Sequence, residues 1–179
     1  MPFAKGDRLK HPTKPGWKIG EVFDVSSSGK LHIYFVGGGR KCLDPKSVNL
    51  IKVAGKDASS QILDTINDPT WPFGRFNIYV IELNECVWNE RSFRNENPRR
   101  DPAKPCLYVG MTWHTPQTRF EKHLAGELSA RYVFRYREGA RLRTDLFKSF
   151  NPMHKRMAEL MEVERGIQLR NQGYGVWQR

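Results

Sequence analysis

Two tyrosines lie in short apolar runs 29 residues apart: Tyr79 within Phe76–Leu83 and Tyr108 within Cys106–Gly110. Arg119 and His123 follow at i,i+4 spacing, so a helix would put both on one face. Near the C-terminus, Leu160, Glu164 and Ile167 fall at +4 and +3 spacing. That places Glu164 on the inward stripe of a helix and turns Glu162 and Arg165 elsewhere. An inward carboxylate is costly unless it is paired or holds a metal. Taken singly, each of these residues also has a bland explanation. Tyrosines in strands usually pack, and an Arg/His pair usually decorates a solvated face.

Local patterns give the elements that must carry these residues. Phe76–Leu83 reads as a buried strand and Cys106–Gly110 as a second one. Thr115 is the expected N-cap of the Arg119/His123 helix, with Pro116 at its first position and Gly126 as its stop. A further helix is expected over about Ala140–Phe150. Asn151-Pro152 repeats the cap-plus-proline signal and opens a last helix to about Gln172, ended by Gly173. Residues 84–105, with Pro98, Pro102, Pro105 and several arginines, read as a long basic surface loop. The first fifty residues read as β structure, strongest at Leu31–Val36, with Gly37-Gly38-Gly39 as a hairpin turn. Several short strands at this spacing predict a small barrel. A polar stretch leads to one short helix at Gln61–Asn67.

The chain has 179 residues, 39% of them hydrophobic, which is enough for a core and excludes wholesale disorder. No run approaches the roughly 18 apolar residues of a membrane span. The N-terminus lacks the apolar segment of a signal peptide, so a cytoplasmic location is expected and a membrane partner is not. Three cysteines, Cys42, Cys86 and Cys106, are too few and too scattered for a disulfide framework or a thiolate zinc site. Cys86 and Cys106 sit in apolar surroundings and are expected to be buried thiols. The spacing of His114, His123 and His154 fits no common zinc site. Thirty Lys and Arg against nineteen acids give a net charge of +11, which attracts polyanions. Residues 1–55 hold ten of those cations and four of the acids.

In order along the chain, Asn77-Ile78-Tyr79, Tyr108-Val109-Gly110, Arg119 with His123, and Glu164-Arg165-Gly166-Ile167 resemble the motifs of the GIY-YIG nuclease family. The resemblance covers residues 76–177. It implies an α+β domain with a three-stranded antiparallel sheet flanked by helices, and hydrolysis of phosphodiester bonds. It also implies one divalent ion, Mg2+ or Mn2+, held by a single carboxylate, here Glu164, with water and the scissile phosphate as its other ligands. Arg119 would stabilise charge on the phosphate. One of Tyr79 and Tyr108 would activate the attacking water. A phenol titrates near pH 10, so that role needs a nearby cation. His123 would shuttle protons. Asn77 replaces the family's first glycine, and residues 84–105 are an insertion between the two tyrosine strands.

The segments Gly6–Pro12, Gly20-Glu21-Val22 and Phe35–Lys41 are similar to the Tudor/SH3-like barrels of bacterial repair helicases and transcription-coupling factors. The expected organisation is therefore a barrel at 1–55, a linker at 56–75 and a nuclease domain at 76–179. DNA is the expected partner, with RNA as an alternative substrate and RNA polymerase a partner for the barrel. Arg99, Arg100, Lys122, Arg131, Arg135 and Arg137 are the expected phosphate contacts. The tryptophans are expected to pack rather than to stack on bases. The competing function is an inactive binding module of repair or transcription. DNA repair, restriction or phage defence, and mobile-element maintenance are the biological roles that fit the enzyme.

Overall fold

In the computed structural model, residues 3–53, Leu63 and residues 74–178 are described. The chain divides into two compact units, Met1–Phe73 and Gly74–Arg179. Most of the expected linker, its helix at Gln61–Asn67 and Trp71 lie outside the described residues; Leu63 is helical and buried.

The N-terminal unit is a five-stranded antiparallel sheet: β1 (Arg8–Lys10), β2 (Ile19–Val25), β3 (Leu31–Phe35), β4 (Gly39–Leu43) and β5 (Ile51–Lys52), in the order β4-β3-β2-β1-β5. Alternate residues of β2 and β3 point inward. Leu9, Val22, Leu31, Ile33, Phe35 and Leu50 form the core, with Trp17 and Leu43 packed against it. Each such side chain contributes about 1.5–3 kcal/mol of burial. The hairpin between β3 and β4 turns through Val36–Gly38, as the three glycines predict.

The C-terminal unit is built on a mixed sheet. It comprises β6 (Asn77–Glu82), β7 (Cys106–Thr112), β8 (Arg141–Leu142) and β9 (Gly175–Gln178), in the order β8-β6-β7-β9. β6 and β7 are almost wholly buried, because helices cover the central strands and so both strand faces are apolar. The helices are α1 (Arg91–Glu96), α2 (Pro116–Ala125), α3 (Arg131–Arg135) and α4 (Lys155–Asn171). α4 packs across β6, β7 and β9, and α2 packs on β6. Among the described residues, no helix is long and apolar enough to cross a membrane.

Helix α2 forms where its local signals place it. Thr115 Oγ1 accepts the Thr118 N–H at 3.1 Å, Pro116 opens the helix, and Gly126 closes it at φ +85°. Five other expectations are corrected. The sheet has a fourth strand, β9, which runs parallel to β7, so it is not purely antiparallel. No helix spans Ala140–Phe150: Arg141 and Leu142 instead pair with β6, and both Arg141 and Arg143 bond Glu82 at 2.8 Å. The ion pairs of that strand edge outweigh a weak helical pattern.

Asn151 does not cap α4, which begins at Lys155. Its amide bonds both Ile78 N–H (2.9 Å) and Ile78 C=O (2.7 Å), standing in for a neighbouring strand. Finally, residues 84–105 are not simply a loop. They hold a 3-10 turn (Glu85–Asn89) and α1, which bury Val87, Phe93 and Asn97. The Asn97 side chain pairs with both backbone groups of Val176 on the outer edge of β9. Val87 takes the buried position of that turn, so Cys86 is exposed, whereas Cys106 is buried and its thiol is pushed up to about 12 by burial and by Glu85.

Candidate active site

The register of β6 and β7 brings the two tyrosines together. Tyr79 lies opposite Gly110, and Tyr108 opposite Ile81, so the tyrosines are diagonal neighbours with rings 6.0 Å apart. The absent side chain at Gly110 makes room for the Tyr79 ring. A Cβ there would lie 2.5 Å from the Tyr79 hydroxyl and 2.7 Å from its Cζ. Gly110→Ala should therefore displace a ring that is only 1% exposed, costing about 1–3 kcal/mol. Urea unfolding would measure this, and an unchanged midpoint would show that the ring can move freely.

Helix α2 places His123 against this pair. The Tyr79 hydroxyl and His123 Nε2 are 2.8 Å apart, and His123 Nδ1 lies 3.0 Å from Ser129 Oγ. Burial first, then the nearby Arg119 charge, lowers His123 to about 4, so the ring is neutral at pH 7. Ser129 donates its own proton to Ala130 C=O (3.3 Å), leaving its oxygen to accept Nδ1–H. Nε2 is then bare and accepts the Tyr79 proton. Burial raises Tyr79, while hydrogen bonds from Arg119 and Tyr108 to its oxygen pull it back down. Tyr108 is raised far more, by burial and then by Tyr79. The two phenols are thus inequivalent, and Tyr79 is the one linked to a bare nitrogen base.

The depressed pKa of His123 fixes a pH dependence. A histidine of about 4 when folded and 6.5 when unfolded stabilises the fold fully above pH 6.5, and that stability is lost as pH falls through about 4. The full effect is about 3 kcal/mol. His123→Gln removes this component, so the difference between the wild-type and variant urea curves at pH 7 and pH 4 isolates it. A difference that does not change with pH would mean that His123 titrates normally.

Arg119 and Glu164 were expected to meet the tyrosines. Arg119 does lie near Tyr79, whose pKa its charge lowers, and it bonds Leu128 C=O at 2.9 Å. On α4 the inward face differs from the one that Leu160, Glu164 and Ile167 outlined. Met157, Ala158, Met161, Arg165, Gln168 and Leu169 are buried, whereas Ile167 is 43% exposed. Glu164 Oε1 accepts from Gln168, which in turn accepts from Arg165. The carboxylate that acts on both tyrosines is Glu162, whose charge raises each of them. Burial, then Glu159, pushes Glu162 up to about 7. The missed signal was the register of the helix: Met157, Met161, Arg165 and Gln168 follow 4-4-3 spacing, but Arg165 in that row reads as polar and hid it.

Several expected phosphate contacts are committed elsewhere. Arg100 is 5% exposed at its side chain, pairs with Glu85, bonds Lys104 C=O and stacks over Trp88. Arg135 pairs with Glu90, Lys122 with Glu127, and Arg137 lies 4.1 Å over the Phe134 ring. Arg131 is exposed, and Arg99 lines a separate cleft of about 350 Å³ beside Arg170. A larger cleft, of about 540 Å³, adjoins the tyrosine cluster and is lined by Arg119 and Lys122. Trp113 also lines it and is exposed, contrary to the packing role expected of it; Trp88 and Trp177 do pack, against Phe93.

Residues 3–53 match a family model described as a protein of unknown function (DUF3553). No curated protein and no solved structure matches the chain. The chain is thus a two-unit α+β protein with an N-terminal five-stranded antiparallel sheet.

Proposed function

We propose that the C-terminal unit is a GIY-YIG-like phosphodiesterase that hydrolyses nucleic acid, with DNA as its substrate class. The observation that carries this reading is the buried Tyr79–His123 hydrogen bond, with Arg119 on the same tyrosine and Glu162 beside it. Water attacks the phosphorus and passes a proton to Tyr79 Oη as the Tyr79 proton moves to His123 Nε2; the P–O bond to the leaving oxygen breaks. Ser129 holds the imidazolium through Nδ1–H. The role of base thus falls to Tyr79 rather than Tyr108. Arg119 donates to the phosphate as negative charge develops.

The residues fit one hard divalent ion. Glu162 is a desolvated carboxylate facing Glu159, so the pair carries negative charge that a cation would offset. Oxygen donors suit Mg2+ or Mn2+. Among the described residues no group of three or more His, Cys, Asp or Glu could hold a metal, and Glu162 is the carboxylate that would hold the ion beside the tyrosines. Bound there, the ion would polarise the phosphate oxygens. The N-terminal sheet is read as a Tudor/SH3-like barrel from the segments Gly6–Pro12, Gly20-Glu21-Val22 and Phe35–Lys41, and its positive charge supports binding of nucleic acid, with RNA polymerase as the other partner.

Purified protein incubated with plasmid, linear duplex, branched DNA and RNA, in Mg2+ or EDTA, tests the enzyme reading. Metal-dependent cleavage supports it; no cleavage of any substrate leaves the binding-module alternative. For the barrel, binding of duplex DNA and of RNA polymerase at about 50 and 200 mM salt separates the two partners, since only phosphate contacts weaken so steeply. Binding to neither ends the barrel assignment.

A further inference from the structure

Among the described residues Trp113 is the one exposed tryptophan, 59% open to solvent. It sits in the turn between β7 and α2, which is held by hydrogen bonds. His114 N–H donates to Thr112 Oγ1 (3.1 Å), Asn77 Nδ2 donates to His114 C=O (3.0 Å), and Thr115 caps the helix that follows. The Trp113 ring rests against the His114 ring, with centroids 4.2 Å apart. Nothing in the fold requires a large indole here, because it buries little surface.

Trp113 lines the cleft of about 540 Å³ together with Phe76, Met111, Arg119, Lys122 and Leu128, itself 91% exposed. Glu127 also lines the cleft and pairs with Lys122, so apolar surface and the Arg119 guanidinium share one concavity. A planar apolar group joined to an anion matches both. We propose that this cleft is a nucleobase subsite, in which an unpaired base of a nucleic-acid strand stacks on Trp113 while its phosphate meets Arg119. The inference rests on the phosphodiesterase reading and deepens it. Arg119 belongs both to the cleft and to the tyrosine cluster, so the stacked base belongs to a nucleotide next to the scissile phosphate. A base inside a duplex has both faces covered by its neighbours. The substrate class is therefore a strand with unpaired bases at the cut: single-stranded, flapped or bulged.

Binding is measured in EDTA, on a short single-stranded oligonucleotide and on the duplex of the same sequence, with the full chain. Trp113→Ala should weaken single-strand binding about 5- to 150-fold, the range for losing one stacked base, and leave duplex binding little changed. Trp113→Phe should retain most of the affinity, and the oligonucleotide should quench tryptophan fluorescence in the wild type but not in Trp113→Ala. Equal losses on both forms, or none, overturn the proposal. Cleavage in Mg2+ separates it from the reading beneath it. A protein that cleaves but shows no Trp113 effect keeps the phosphodiesterase and loses the base subsite. One that stacks bases but never cleaves keeps the subsite and loses the phosphodiesterase.

Discussion

Glu162→Gln should reduce single-turnover cleavage by about 10³-fold, the rate equivalent of the several kcal/mol that a phosphate-bound cation supplies. Glutamine keeps the size of the side chain and removes the charge that would hold the ion. Folding should survive, because burial and Glu159 already oppose that charge. Glu164→Gln is the control. Its partner Gln168 donates through Nε2, and a glutamine carbonyl at 164 can still accept that bond, so activity should change little. Divalent-ion titration by calorimetry should show the same contrast, with binding lost only in Glu162→Gln. The opposite ranking would return the metal to Glu164 and to the stripe outlined by Leu160 and Ile167.

Arg119→Lys should lower the cleavage rate about 10²- to 10³-fold, or roughly 3–4 kcal/mol, as does the loss of one preorganised donor to a developing oxyanion. The guanidinium bonds Leu128 C=O and lies near Tyr79, and its planar fork leaves further donors for a phosphate. Lysine keeps the charge but cannot serve these acceptors together. Affinity for the substrate should fall much less, because the chain carries 30 Lys and Arg. Rate and binding measured on one oligonucleotide separate the two effects. Near wild-type cleavage with weakened binding would make Arg119 a docking residue.

The two predictions differ in how far the sequence supports them. Arg119 is legible from local signals alone. Thr115, Pro116 and Gly126 delimit its helix, and i,i+4 spacing then puts Arg119 and His123 on one face, whatever the rest of the chain does. Glu162 is not legible in that way. Glu162 and Glu164 are both polar positions on one amphipathic helix, and the choice between them depends on where α4 lies across β7 and β9. That orientation buries Met157, Met161, Arg165 and Gln168, with Arg165 bonding Leu146 C=O and lying over the Phe150 ring.

Elements whose cause is local are legible in the chain. The β3–β4 turn follows from its glycines, the two tyrosine strands from continuous apolar runs, and α2 from its caps. The strong positive charge is likewise read from composition, and the tyrosines, arginine and histidine of the candidate site from their order along the chain. Tertiary structure decided what depends on residues distant in the chain. Asn151 and Asn97 became surrogates for strand edges because β6 and β9 offered unpaired backbone groups there. Arg141 and Arg143 became strand partners because Glu82 lay across from them. Tyr79 was distinguished from Tyr108 only by a helix 44 residues away in sequence that delivered a neutral imidazole to one of them. Hydrogen bonds and ion pairs of this kind have no short-range signature, since the partner's distance along the chain carries no information about its distance in space.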